Sequence, residues 1–321
     1  MSITPVCDTS IQSVHSRTHV LTIRAEHSNL PGCGRGIERG NGTSDTATLL
    51  CIFRLMEAVL PNEILVSVQS KVATITLNKP TQLNAITLEM WRELKDVSIR
   101  LGRDNDVRVV VIRGAGQTAF SAGADIKDFQ RNRHNLASAT IYAEQFEGAM
   151  DAVEAIPKPV ISMIHGVCVG GGLELATATD LRIACVRSQF GVPIARISVV
   201  AGYREVRRLV ALVGAGVSSK MLLTGEIVDS ANALEMGLVS EVLPVGELEQ
   251  RVSTLTDRMS ELAPLSHAAH KFILRKVVSD PGLRYLDADE RTLPLRVFDS
   301  EDFREGTSAF REKRKPTFKG H

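Results

Sequence analysis

The 321-residue chain lacks the features that mark a membrane protein or a nucleic-acid-binding protein. No uninterrupted apolar run reaches the roughly 18 residues that a membrane-spanning helix needs. The formal net charge is only +1 at pH 7, which gives no electrostatic reason to expect nucleic acid or an anionic membrane as a partner. Hydrophobic residues make up 44% of the chain and charged residues 23%, which is the balance of a soluble globular protein.

Cysteine is scarce as well, and its pattern excludes the common metal and redox motifs. The five cysteines include no CxxC pair and no His/Cys cluster with zinc-ligand spacing, so we predict no metal site. Thiols without such pairing are typical of reduced proteins, and we expect a cytoplasmic location.

A phosphate-binding GxGxxG motif that follows a strand is also lacking. Gly32-Cys-Gly34-Arg-Gly36 follows no predicted strand, and Gly214-Ala-Gly216 has no third glycine at the required spacing. The sequence therefore argues against a nucleotide-dependent dehydrogenase.

Residues 1–55 contain no lysine and show no sustained helical or strand periodicity. Ser, Thr and Gly are frequent there, so this segment offers little apolar surface to offset the entropy of ordering. We predict a disordered, dispensable N-terminal extension, with the body of the chain starting at Met56. One alternative is an organelle-targeting segment such as a mitochondrial one, although Asp8 and Glu26 argue against it, and another is that these residues precede the natural start of the protein.

From residue 64 onward, strand and helix patterns alternate. Residues 72–77 alternate as a half-buried strand, and Thr87 is placed to cap a following amphipathic helix. The β-branched run 107–112 predicts a strand covered on both faces, and 160–167 predicts another strand. This repetition predicts an α/β fold with right-handed crossovers, and the charged segment 247–315 has a helical pattern.

Two glycine-containing segments, 119–126 and 165–175, each follow a predicted strand, where small residues let the backbone approach a ligand closely. Gly170-Gly171-Gly172 opens a helix, so free N–H groups at its positive end can stabilise an oxyanion. Glu174 falls in the first turn of that helix. It is either a catalytic acid–base or simply a favourable charge at a helix N-terminus.

These segments resemble the enoyl-CoA hydratase/isomerase (crotonase) superfamily over roughly residues 62–320. The matching segments are residues 75–80, 84–85, 122–126, 166–174, 223–225, 237–239 and the tail 305–315. The resemblance implies a crotonase-like spiral of repeated ββα units over residues 56–255 and a C-terminal helical trimerisation region over residues 256–321. It also implies a homotrimer, or a hexamer built from two trimers.

The resemblance assigns roles to individual residues. Ala122 and Gly171 match the two backbone N–H donors of the family's oxyanion hole, and Glu174 matches one of its two catalytic glutamates. Lys313 and Lys315 match tail residues that reach the phosphates of coenzyme A, or they are a solvated charge run. The implied ligand is an acyl-CoA or enoyl-CoA substrate, with no separate cofactor. The residues expected to bind its CoA part, besides the two lysines, are Ala122, Gly123, Ala124, Asp125, Ile126, Gly170 and Gly171.

One expected residue is missing. Hydratases of this family carry a second catalytic glutamate directly after a Phe-Gly-x-Pro motif, and here Phe190-Gly-Val-Pro193 is followed by Ile194. Glu205 is the nearby candidate to compensate, or it is a solvated loop charge. We therefore expect hydration of a 2-enoyl-CoA, with another crotonase reaction (isomerase, lyase or decarboxylase) or non-catalytic acyl-CoA binding as alternatives.

Overall fold

The computed structural model describes residues 62–321. The predicted N-terminal extension and the predicted start of the body at Met56 lie outside the described residues.

The strands come in pairs along the chain. They are β1 (Ile64–Gln69), β2 (Val72–Leu77), β3 (Val109–Gly114), β4 (Ala119–Ser121), β5 (Val160–Ile164), β6 (Val167–Val169), β7 (Leu181–Cys185), β8 (Gln189–Gly191), β9 (Val228–Asp229) and β10 (Glu241–Leu243). One sheet has the order β1-β2-β3-β5-β7-β10, and the other has the order β4-β6-β8-β9. All neighbours pair in parallel except β1 with β2 and β8 with β9.

The helices follow the strand pairs. They are α1 (Leu88–Arg103), α2 (Ile126–Asn132), α3 (Leu136–Ala155), α4 (Gly171–Thr177), α5 (Tyr203–Thr224), α6 (Ser230–Glu235), α7 (Leu248–Ser260), α8 (Pro264–Ser279), α9 (Ala288–Arg296) and α10 (Glu301–Glu312). Each of the pairs β3–β4, β5–β6 and β7–β8 therefore gives one strand to each sheet before a helix returns the chain.

Side chains of β3 explain why the larger sheet is buried on both faces. Val110 and Ile112 point into a core that contains Trp91 of α1, whereas Val109 and Val111 point into a second core under α7. Side chains alternate across a strand, so consecutive β-branched residues serve the two cores in turn. This confirms the prediction of a strand covered on both faces.

Two local predictions are tested directly. The Thr87 hydroxyl accepts a hydrogen bond from the Met90 N–H at 3.2 Å, which confirms Thr87 as the cap of α1. The single strand predicted at 160–167 is wrong, because the chain breaks after β5 and enters the second sheet as β6. Gly166 makes this break at φ +57°, and a Cβ atom there would lie 1.9 Å from the Thr118 carbonyl oxygen, so only glycine fits.

The predicted start of the C-terminal helical region lies within a helix. The division between residues 255 and 256 falls inside α7, whose Leu248 and Val252 pack in the second core. The helices α8, α9 and α10 follow, and several of their apolar side chains are exposed, including Leu274, Leu295, Phe298 and Phe310. Within residues 62–321, no helix is both long enough and apolar enough to cross a membrane.

Candidate active site

Two backbone segments meet where β4 and β6 end. Gly123, at φ +92°, lies so close to the second segment that a Cβ atom would be 2.9 Å from the Val169 carbonyl oxygen and 3.1 Å from the Gly171 nitrogen. A Cβ atom on Gly172 would lie 2.6 Å from the Ser121 carbonyl oxygen. The glycines predicted from sequence therefore let two backbones pack directly against each other.

The hydrogen bonds of the first segment identify which N–H group is available to a ligand. The Ala122 N–H donates to the Leu83 carbonyl oxygen at 2.9 Å, so it is already engaged within the protein. This contradicts the assignment of Ala122 as an oxyanion donor. The chain folds back on itself here, a tertiary contact that the motif alone does not show.

Ala124 has the free N–H instead. Ile86 pairs with this segment by donating to the Gly123 carbonyl oxygen at 2.8 Å and accepting from the Asp125 N–H at 2.9 Å. Because strand-like pairing uses the groups on either side of Ala124, its own N–H points away from Ile86. Within residues 62–321 it donates to no acceptor. A Cβ atom on Gly171 would lie 3.6 Å from the Ala124 nitrogen, so the two residues are neighbours.

Gly171 is the first residue of α4, and its N–H also donates to no acceptor in the described part of the chain. The preceding Gly170 at φ 52° turns the chain into the helix, and its N–H donates to the Gly191 carbonyl oxygen at 2.9 Å. Ala124 and Gly171 thus present two free backbone donors side by side, one of them at the positive end of a helix.

Glu174 lies one turn into α4, and burial raises the pKa of its carboxyl to about 7, with a further increase from the nearby charge of Glu205. Arg133 and Arg208 act in the opposite direction but do not cancel the rise. A carboxyl that holds its proton to neutral pH can both give and take a proton there, so Glu174 is suited to acid–base chemistry.

Glu205 is not a solvated loop charge. It lies in the first turn of α5, only 4% of its surface is exposed, and its buried Oε1 atom has no hydrogen-bond partner among residues 62–321. Glu174 and Glu205 line the same small cavity, which is otherwise mostly apolar. The remaining lining residues are Leu173, Thr177, Val192, Ala201, Val206, Leu209 and Leu222. Sequence reasoning undervalued Glu205 because its burial depends on tertiary packing.

The arginines around Glu205 are paired elsewhere. They form ion pairs with acidic residues on one side of α3. The pairs are Arg204 with Glu147 and Asp151, Arg207 with Glu154, and Arg208 with Asp151 and Glu154. The first turn of α5 is thereby held against α3.

An aromatic wall flanks the free N–H groups. A Cβ atom on Gly171 would lie 3.4 Å from the Trp91 ring and 3.5 Å from the Phe146 ring. The Trp91 Nε1–H donates to the Tyr142 hydroxyl at 3.0 Å, and the Trp91 and Phe146 rings meet edge to face at 4.9 Å between centroids. An acyl group attached to a carbonyl at this site would therefore start beside aromatic surface.

Two neighbouring residues expected to bind CoA differ in how available their side chains are. The Asp125 carboxylate is engaged inside the protein, because it caps α2 and pairs with the Lys79 ammonium at 3.0 Å, which lowers its pKa. The next residue, Ile126, is 56% exposed and available for an apolar contact.

The two tail lysines are exposed. Lys315 pairs with Glu261 at 3.4 Å, and Lys313 ends α10 in the left-handed conformation. Neither lysine forms an ion pair or hydrogen bond with the glycine segments within residues 62–321, and their contact with CoA stays a prediction.

Comparison with known proteins gives one consistent result. The family model described as enoyl-CoA hydratase/isomerase matches residues 67–321. The chain is 36% identical to a probable enoyl-CoA hydratase of Bacillus subtilis, covering 81% of this chain and 99% of that protein. It is 33% identical to the (E)-benzylidenesuccinyl-CoA hydratase of Thauera aromatica, covering 79% of this chain and 97% of that protein.

Solved structures agree. A crystal structure of an enoyl-CoA hydratase/carnithine racemase from Magnetospirillum magneticum superposes with a TM-score of 0.77 at 37% identity, covering 81% of this chain and 96% of that one. With its paired strands, its two facing glycine segments and these relatives, the chain belongs to the enoyl-CoA hydratase/isomerase family of the crotonase superfamily.

Proposed function

We propose that the protein adds water to the double bond of a 2-enoyl-CoA thioester. The observation that carries this proposal is the pair of N–H groups on Ala124 and Gly171 that have no acceptor among residues 62–321, together with half-buried Glu174 in the same first turn of α4 as Gly171. A thioester oxygen that accepts both hydrogen bonds gains negative charge when a nucleophile attacks Cβ. The relatives named above are hydratases of CoA thioesters, which supports the same reaction class here.

The two N–H groups stabilise the enolate that forms in the reaction. They are fixed by backbone packing before substrate arrives, so no reorganisation is needed as the charge develops. Removing one such donor typically costs about 3–4 kcal/mol of transition-state stabilisation. The start of α4 adds its helix dipole to the same oxygen.

Glu174 then transfers the proton that Cα requires. Its pKa of about 7 leaves a large fraction protonated at neutral pH, which suits a general acid. Proton transfer by a positioned side chain contributes roughly 10²–10⁴-fold to a rate. Glu174 is thus the residue of the described chain whose position and protonation best fit the step.

Coenzyme A is part of the substrate, and no further cofactor is required by this chemistry. The backbone of residues 122–126 and the exposed Ile126 side chain would line the adenine site, and Lys313 and Lys315 would approach the phosphates.

The exposed apolar side chains of α8–α10 support assembly into a trimer or a pair of trimers. Phe310 is 86% exposed, and Leu274, Leu295 and Phe298 are also exposed. Exposed apolar surface marks contact sites where it is contiguous, and we propose that further copies of the chain cover these side chains.

Mass spectrometry of crotonyl-CoA incubated with the purified protein tests the reaction, with Glu174→Gln as the control. We expect wild-type protein to convert the thioester to a product heavier by one water, and the variant to lose this conversion while it still binds CoA. Binding of crotonyl-CoA without any change of mass would contradict hydration and leave an isomerase, a lyase or a non-catalytic binding protein.

A further inference from the structure

We infer that Glu205 is the second catalytic carboxyl of this protein and holds the attacking water against Glu174, replacing the acid that is absent at Ile194. The inference rests on the proposed hydration and adds to it the residue that handles water.

The first support is that Glu205 is buried without a partner. Its Oε1 is inaccessible to solvent, and no hydrogen bond or ion pair to its carboxyl occurs among residues 62–321. A buried polar atom left without a hydrogen bond costs about 1–3 kcal/mol, so such an atom calls for a ligand or a water.

The second support is that nearby charges do not neutralise Glu205. Arg204, Arg207 and Arg208 are its neighbours in sequence, yet all three form ion pairs with acidic residues of α3. A carboxylate whose role was to balance local charge would pair with one of them. Glu205 instead lines a cavity to which Glu174 also contributes.

The third support is the size and lining of that cavity. It has a volume of about 10 Å³ open to the centre of a water molecule, which is room for roughly one water. An enclosed water needs two to four polar partners. Glu174, Glu205 and Thr177 are the lining residues that carry polar side chains, whereas the other lining side chains are apolar.

Ile194 does not supply any of these partners. It is half-buried and packs against the main core, and it does not line this cavity. The acid that the family motif would place at this position is therefore replaced by a carboxyl from the start of α5, which reaches the same Glu174 from another element.

The chemistry balances with these two residues. The Glu205 carboxylate takes a proton from water as the water oxygen bonds to Cβ, and the π electrons of the double bond move into the thioester to form the enolate. Protonated Glu174 then gives its proton to Cα, which produces the 3-hydroxyacyl thioester. The pair holds one proton before and after the step, first on Glu174 and then on Glu205, and this proton returns to Glu174 through solvent before the next turnover.

Two reactions measured on the same variants test the inference. The first reaction is hydration of crotonyl-CoA. The second is exchange of the Cα protons of butyryl-CoA with deuterium oxide, which needs the oxyanion site and Glu174 but no attacking water. We expect Glu205→Gln to slow hydration roughly 10²–10⁴-fold while exchange stays within about threefold of wild type. Glu174→Gln should slow both reactions.

Glu147→Gln is the matched control, because this acid also lies near Gly202 but is partly exposed, and its partner Arg204 keeps a second ion pair with Asp151 when Glu147 is neutralised. We expect it to hydrate crotonyl-CoA at nearly the wild-type rate. If wild-type protein hydrates crotonyl-CoA and Glu205→Gln does so at the same rate, the role of Glu205 is overturned while the proposed function stands. Equal loss of hydration and exchange would also overturn it, in favour of a role in positioning Glu174. No hydration by wild-type protein would instead remove the proposed function, and the inference with it.

Discussion

Gly202 and Glu205 are coupled by close approach: a Cβ atom on Gly202 would lie 2.4 Å from Oε2 of Glu205. Gly202 caps α5 with φ −72° and ψ 170°, a conformation that any residue adopts. Glycine is therefore not required here by the backbone conformation. It is required because a side chain would occupy the space of the Glu205 carboxylate.

We predict that Gly202→Ala displaces the Glu205 carboxylate and lowers kcat for crotonyl-CoA by about tenfold or more, with little change in KM. Gly216→Ala in the same helix is the control, since a Cβ atom there meets nothing within 4 Å. Steady-state kinetics of both variants make the comparison. An unchanged kcat in Gly202→Ala would show that the carboxylate position is unimportant for turnover.

The facing glycines provide a second prediction. Gly123→Ala should strain a left-handed backbone, and its methyl group should push the segment of Val169 and Gly171 away from residue 123. We therefore expect kcat/KM to fall by about 10²–10³-fold. Gly116→Ala shares the positive φ but meets no neighbouring atom within 4 Å, and it isolates the cost of backbone strain. Thermal melting of both proteins should accompany the kinetics. Similar activity in the two variants would argue against an oxyanion site at this contact.

The pKa of Glu174 predicts how activity depends on pH. A general acid with a pKa of about 7 loses its proton as the pH rises, so kcat/KM for hydration should fall above about pH 7. The logarithm of kcat/KM should fall by about one unit per pH unit, as expected for the loss of a single proton. A profile that stays flat from pH 6 to roughly pH 9 would contradict this role.

The same pKa predicts an effect on folding stability. The folded protein holds the Glu174 proton up to about pH 7, whereas the ordinary value of 4.5 applies to an exposed chain. The folded state therefore binds more protons between these values, and this group's contribution to stability is present at low pH and lost as pH rises through about 7. Glu174→Gln should then be more stable than wild type above pH 7, by up to about 3 kcal/mol. The difference should vanish below about pH 4.5, and urea unfolding at several pH values measures it.

The proposed assembly into trimers predicts the effect of a charge at Phe310 in the C-terminal helix α10. Phe310→Asp should weaken association, because it places a charge on a side chain that is 86% exposed and proposed to be covered by another copy. Leu136→Asp, at a residue 85% exposed at the start of α3, is the comparison variant. Sedimentation velocity should show smaller species for the first variant only. Identical sedimentation of both variants and wild type would remove Phe310 from any interface.

Local patterns were sufficient to predict much of the fold. The alternation of residues 72–77 corresponds to β2, and the hydroxyl of Thr87 caps α1, because both features depend on short stretches of chain. The glycine segments were also recognisable, since the close approach of two backbones requires residues without side chains.

Other features depend on contacts that no local pattern contains. The choice between Ala122 and Ala124 is made by Leu83 and Ile86, which lie about forty residues earlier in the chain and use up specific backbone groups. The burial of Glu205 depends on how α5 packs beside α4, and a charged sequence around it suggested the opposite. Such positions become predictable only when tertiary packing is known.

The helix α3 joins two parts of the proposed site. Tyr142 and Phe146 belong to the aromatic wall beside the proposed carbonyl site, and Asp151 and Glu154 further along the same helix pair with the arginines next to Glu205 in the sequence. A substitution that widens the acyl side by shifting α3 would also shift Glu205, the carboxyl that we propose orients water. Re-engineering this enzyme for bulkier acyl groups should therefore exact a cost in turnover unless the arginine contacts are redesigned together with the aromatic residues.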